Sequence, residues 1–145
     1  MQSTIRPMEE KDRSQVIEMM RSFYSSPAVF SNGSEEIFSA DVDNCIGDCQ
    51  YLEGYVFENS GNLQGYAMVA KSFSTEFGKP CIWLEDLFIK EECRGLGLGN
   101  HFMNYLQEAY PNCVFRLEVE EENERAVKMY QKFGFDFLPY MEMKK

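Results

Sequence analysis

Trp83-Leu84-Glu85-Asp86-Leu87-Phe88-Ile89 is followed, after a short acidic turn, by Arg94-Gly95-Leu96-Gly97-Leu98-Gly99. The first stretch is apolar and β-prone, yet it carries two adjacent acids. The second is a basic, glycine-rich turn that opens an amphipathic helix over 98–110. Glycines let the backbone approach a ligand closely, and the free N–H groups and dipole of a helix start attract phosphate. The pair of stretches therefore predicts an anion cradle beside a strand that can present a carboxylate to a second substrate.

Reading outward, the chain alternates between two periodicities. Ile5 lies in a short strand ending at Pro7, and Val16, Ile17, Met19, Met20 and Phe23 recur at helical spacing over 9–24. A loop spans 25–33. Ser34, followed by Glu35 and Glu36, caps a second helix with Ile37, Phe38 and Val42 on its apolar side. Two β-rich runs, 51–58 and 63–73, flank the turn Asn59-Ser60-Gly61-Asn62 and read as a hairpin. The strand 81–89 follows the turn Gly78-Lys79-Pro80.

Leu98, Phe102, Leu106 and Ala109 set the next helix in register, and Pro111 stops it. A strand at 114–119, a helix at 123–133 closed by Gly134, and a final strand at 135–143 complete the pattern. The order β-α-α-β-β-β-α-β-α-β is an α/β (α+β) arrangement, a mixed sheet with helices on its faces. Its 145 residues suit one domain, 1–145.

The glycine spacing narrows the ligand. Gly95, Gly97 and Gly99 alternate, and Asn100 stands where a dinucleotide-binding turn needs its third glycine. No Lys-Ser/Thr pair follows, so a nucleotide P-loop fails too. A second constellation, Asn123, Ala126, Tyr130 and Gly134-Phe135, places an amide and a phenol along one helix face.

Together, Arg94 to Gly99 and the Asn123–Tyr130 helix resemble the GNAT superfamily of acyl-CoA-dependent N-acetyltransferases. The run Leu84-Glu85-Asp86-Leu87-Phe88-Ile89 is similar to the branch that includes diamine and thialysine acetyltransferases. The resemblance implies a GNAT-like, mostly antiparallel sheet flanked by helices. It also implies acetyl-CoA as co-substrate. Arg94, Gly95, Leu96, Gly97, Leu98, Gly99 and Asn100 would hold the diphosphate, while Leu87, Phe88 and Ile89 would pair with the pantetheine arm. Asn123 would contact that arm, and Tyr130 would stand near the sulfur. The family often dimerises through its C-terminal strands, so a homodimer involving Tyr140, Met141 and Met143 is expected unless those residues are core.

The chemistry fits these placements. A primary amine has a pKa near 10.4 and must lose a proton before attacking a thioester. Glu85 can accept it directly or through water. A strand N–H can hold the oxyanion, and Tyr130 can protonate the leaving thiolate. In a regular strand Trp83, Glu85, Leu87 and Ile89 share one face, while Leu84, Asp86 and Phe88 share the other. The two acids are then paired structurally, for example with Arg116, or they line a solvated site where Asp86 binds an ammonium.

Bulk properties exclude other classes. The net charge of −10 disfavours nucleic acid and suits a cationic substrate. No apolar run spans a membrane, and no signal-peptide core is visible, so a soluble cytoplasmic protein is expected. Five cysteines lack a CxxC and the lone His101 completes no zinc set, so no metal is expected and the thiols read as reduced. Cys93, beside Arg94, and His101 are minor candidates at the anion loop. The expected reaction is acetyl transfer to a small cationic amine. The alternatives are a protein N-terminal or lysine acetyltransferase, and a non-catalytic acyl-CoA-binding module.

Overall fold

The computed structural model describes residues 3–145. Five strands form one sheet in the order β1-β2-β3-β4-β5, with β1 Thr4–Pro7, β2 Leu52–Asn59, β3 Asn62–Ser74, β4 Lys79–Ile89 and β5 Val114–Leu117. The first three pairings are antiparallel, and β4–β5 is parallel. A parallel neighbour needs a crossover, and α3 Leu98–Ala109 supplies it.

The helices cover both faces. On one face α1 (Arg13–Tyr24) and α2 (Glu35–Ile46) bury Val16, Met20, Phe38 and Val42 against Val56, Tyr66 and Met68. On the other, Phe102, Met103 and Leu106 of α3 pack on Tyr55, Phe57, Val69, Ile82 and Leu84. Phe102 is fully buried among Tyr55, Phe57 and Tyr105. Burying such a side chain contributes about 1.5–3 kcal/mol. The short α4 Glu124–Lys132 leans on this second core through Tyr130 and Phe133.

Local signals set the element ends. The Ser34 hydroxyl accepts from Ile37 N at 3.2 Å, as its capping role predicts. The first helix begins later than periodicity suggests: a 3-10 turn occupies Glu10–Asp12, because the Asp12 carboxylate accepts from Glu9 N and from Arg6. Ile37 and Ala109, expected on apolar faces, are exposed.

Three expectations are overturned. Strand alternation fails in β4: Met68 pairs with Asp86 but Val69 pairs with Leu84, so Glu85 is an extra, bulged residue. Leu84 therefore shares a face with Leu87 and Ile89, while Asp86 and Phe88 face α1. Next, no strand forms over 135–143. The four-residue β5 offers a short edge, and the tail lies beside it without ladder bonds, leaving Phe137, Tyr140, Met141 and Met143 exposed rather than core. Finally, Arg116 pairs with neither acid. Its guanidinium stacks over Trp83, 4.8 Å from the ring centre.

Candidate active site

The site forms where β4 and β5 part. Their pairing runs from Cys81↔Val114 to Leu84↔Leu117 and stops there, while β4 continues to Ile89. Residues Asp86–Ile89 thus pair with β3 on one side and have no strand on the other, with the bulged Glu85 at the start of this open edge. An unpaired strand edge presents N–H and C=O groups that an extended amide-bearing ligand can meet.

The loop 94–97 follows at the end of this open edge. Gly95 and Gly97 adopt φ of +80° and +81°, a region that L side chains avoid. Gly97 is the N-cap of α3 and provides no side-chain cap, so the first amides of the helix keep their donors for a ligand. A Cβ at Gly97 would meet nothing within 4 Å, so open space lies over the cradle. These features fit the diphosphate of a CoA thioester. Arg94 folds back, donating from Nε to Ile89 O at 2.9 Å and lying 5.7 Å from the Phe88 ring centre. Arg125 of α4 brings a second guanidinium beside the loop, 3.8 Å from the Cβ position of Gly95.

Close packing brings α4 to the same place. Gly99 faces Met129, and a Cβ there would come within 2.8 Å of the Met129 sulfur. Asn123 caps α4, its Oδ1 accepting from Ala126 N at 3.4 Å, which leaves its side-chain NH2 to donate elsewhere. Tyr130 is half-buried in the second core against Phe135, and burial pushes its pKa up to about 12. It also lines a groove of about 810 Å³ between β5, α4 and the C-terminal tail, together with Trp83, Glu118 and Glu142.

Acids surround the open end of β4. Asp86 is 3% exposed; Tyr24 and Tyr66 donate to its two oxygens, each at 2.8 Å. Burial pushes its pKa up to about 6, against those two hydrogen bonds, and Asp41 and Glu85 push the same way as burial. Glu85 is exposed, and partial desolvation with the charges of Glu142 and Asp41 raises it as well. Glu118, hydrogen-bonded to Glu142, is raised to about 7. None of the ion pairs among the described residues involves Asp41, Glu85 or Asp86.

The glycine loop and α4 meet at Gly99 and Met129, and the charge of Glu142, which lines the Tyr130 groove, acts on Glu85; Asp86 turns to the opposite face of the sheet, toward Tyr24 of α1. His101 does not join them: its Nε2 lies 3.2 Å from Ser3 O, toward β1. Cys93 sits half-buried in the 3-10 turn before the loop. Sequence reasoning missed Tyr24, Tyr66, Asp41 and Arg125. Only Arg125, two residues after Asn123, carried a local signal.

A sequence model of the Acetyltransferase (GNAT) family matches residues 15–135. The spermine/spermidine N(1)-acetyltransferase of Bacillus subtilis (strain 168) is 30% identical over 102 residues, 64% of this chain and 67% of that protein. The thialysine N-epsilon-acetyltransferase of Sus scrofa is 31% identical over 142 residues, 90% of this chain and 82% of that protein. The crystal structure of a possible acetyltransferase from Clostridium difficile 630 matches in fold with a TM-score of 0.83. That match covers 100% of this chain and 97% of the other, at 17% identity.

Proposed function

This chain belongs to the GNAT acetyltransferase family and is an acetyl-CoA-dependent N-acetyltransferase; from that premise we propose that its acceptor is a primary amine on a small cationic molecule. One observation carries the reading. Asp86 is a buried carboxylate with two hydroxyl partners and no ion-pair partner among the described residues, and the charged groups that act on it, Asp41 and Glu85, are also acids. Burying a charge without an opposite partner is unfavourable, and structures keep such groups where a ligand completes them. The ligand that completes this one is an ammonium. The relatives named for spermine, spermidine and thialysine support the same class: polyamines or lysine-like side chains.

The proposed roles follow the geometry. Backbone amides of Gly95 to Asn100 hold the diphosphate, with Arg94 and Arg125 balancing its charge. The free edge of Leu87, Phe88 and Ile89 aligns the pantetheine arm, which the Asn123 amide also meets. Bound acetyl-CoA supplies an activated acyl carbonyl. Asp86 receives the ammonium, and Glu85 accepts its proton. A β4 amide beside the bulge can hold the developing oxyanion. Tyr130, kept protonated by burial, gives its proton to the departing sulfur. The exposed tail residues Tyr140, Met141 and Met143 are the proposed contact of a homodimer.

The test is thiol release from acetyl-CoA with spermidine, putrescine, lysine, thialysine, an aminoglycoside and a histone-tail peptide. Turnover is expected with the small amines and not with the peptide. Peptide turnover alone would move the reading to protein acetylation. Calorimetric CoA binding with turnover of none would leave a binding module.

A further inference from the structure

Asp86 has two hydroxyl partners in different surroundings. Tyr66 lies on β3 and is fully buried. Tyr24 is the last residue of α1, half-buried, immediately before the loop that leads to α2. Its ring is fixed edge-on against Phe23, with centroids 5.1 Å apart, and tilted against Phe38 of α2 at 5.4 Å. The hydroxyl is thereby aimed at Asp86 Oδ1.

We propose that Tyr24 is a positioning residue for the acceptor amine: its hydrogen bond keeps the Asp86 carboxylate ionised and oriented toward the approaching ammonium. This rests on the reading of Asp86 as the ammonium ligand. Each carboxylate oxygen has two acceptor positions, and Tyr24 and Tyr66 use one on each. The remaining positions have no hydrogen-bond partner among the described residues. The groups facing Asp86 are Tyr24 from α1, Asp41 and the Cys45 thiol from α2, Tyr66 from β3 and Glu85 from β4 itself. The charged members of that set are all acids, and their field favours a protonated, neutral Asp86. The two hydroxyl donors oppose it, because a hydrogen bond to the charged form stabilises that form. Removing one tips the balance toward the neutral acid, which has no charge to offer an ammonium.

Steady-state kinetics of Tyr24→Phe test this across pH 5.5–9, using the best amine from the panel. The amine KM should rise roughly tenfold, as for the loss of a hydrogen bond to a charged group. The KM for acetyl-CoA should stay within about twofold, since the Tyr24 hydroxyl bonds to Asp86 and to no residue of the glycine loop. The acid limb of kcat/KM should move to higher pH, because Asp86 then holds its proton more tightly.

Replacing Tyr24 with 3-fluorotyrosine gives a stronger donor of nearly the same shape. It should move the limb to lower pH, and it serves if the phenylalanine variant fails to fold. A limb and an amine KM that stay in place in either folded variant overturn the proposal. If the unaltered protein acetylates no amine, the substrate reading fails first and this proposal falls with it.

Discussion

Leu84 and Leu87, three positions apart on β4, pack into the same core beneath α3. In a regular strand that spacing would place them on opposite faces. The bulge at Glu85 reconciles them: one extra residue on β4 lets both leucines point inward, with no β3 partner for Glu85. The bulge also coincides with the end of β4–β5 pairing at Leu84↔Leu117. The residue that breaks the ladder is thus the residue proposed as base, at the point where the sheet opens.

Glu85→Gln should lower kcat/KM for the amine by roughly a hundredfold, within the usual range for losing a general base. Because Glu85 is exposed, stability should change by less than about 0.5 kcal/mol. Stopped-flow thiol release and a urea melt on the same preparation check both parts. An undiminished rate would remove Glu85 from the mechanism.

Tyr130→Phe should reduce kcat by about 10–100-fold and leave the KM for acetyl-CoA nearly unchanged, because the lost proton matters only as the thiolate departs. Burial pushes Tyr130 up to about 12, so it stays protonated at working pH. The unaltered enzyme should therefore show no loss of activity from this group below about pH 10. A basic limb in the pH–rate profile that disappears in the phenylalanine variant would contradict that assignment.

Gly97→Ala places a Cβ where φ is +81°. The strain is about 1–2 kcal/mol for an L residue in this region, and the methyl group would occupy open space over the cradle. Acetyl-CoA binding should weaken about 5–30-fold by calorimetry, while the amine KM stays constant. Equal CoA affinity in the alanine variant would move the diphosphate away from this loop.

Much of this was legible because the decisive signals are local. Ser34 announces a helix start by side-chain chemistry and caps as read; Asn123, read as the first residue of its helix, caps it instead. The glycine turn declares itself by residue type alone. What could not be read depends on residues distant in sequence. The Asp86 hydroxyl clamp joins positions 24, 66 and 86 across three elements. The bulge is a mismatch between two strands, invisible from either one. The apolar tail read as a final strand because its composition suits one, yet a strand needs a partner edge, and β5 offers only four residues. Arg116 was a plausible partner for the acids, but the flat Trp83 ring beside it captured the guanidinium instead.

The unpaired charge that suits Asp86 to an amine should also weaken the fold at neutral and alkaline pH. Its pKa is raised from 3.8 to about 6, chiefly by burial. A raised carboxyl contributes stability that is full below pH 3.8 and lost as pH climbs through about 6. At pH 8 the ionised Asp86 is therefore a net burden of about 1–3 kcal/mol relative to acid. Asp86→Asn keeps the shape and one carbonyl acceptor but carries no charge. It should match the unaltered protein near pH 4 and exceed it by that amount at pH 8, in urea unfolding at both values. A bound polyamine should offset part of the same burden, raising the midpoint of the unaltered protein at pH 8 and leaving Asp86→Asn nearly unmoved. If the variant is equally stable at both pH values, Asp86 is not the charged, cation-seeking group that the amine reading requires.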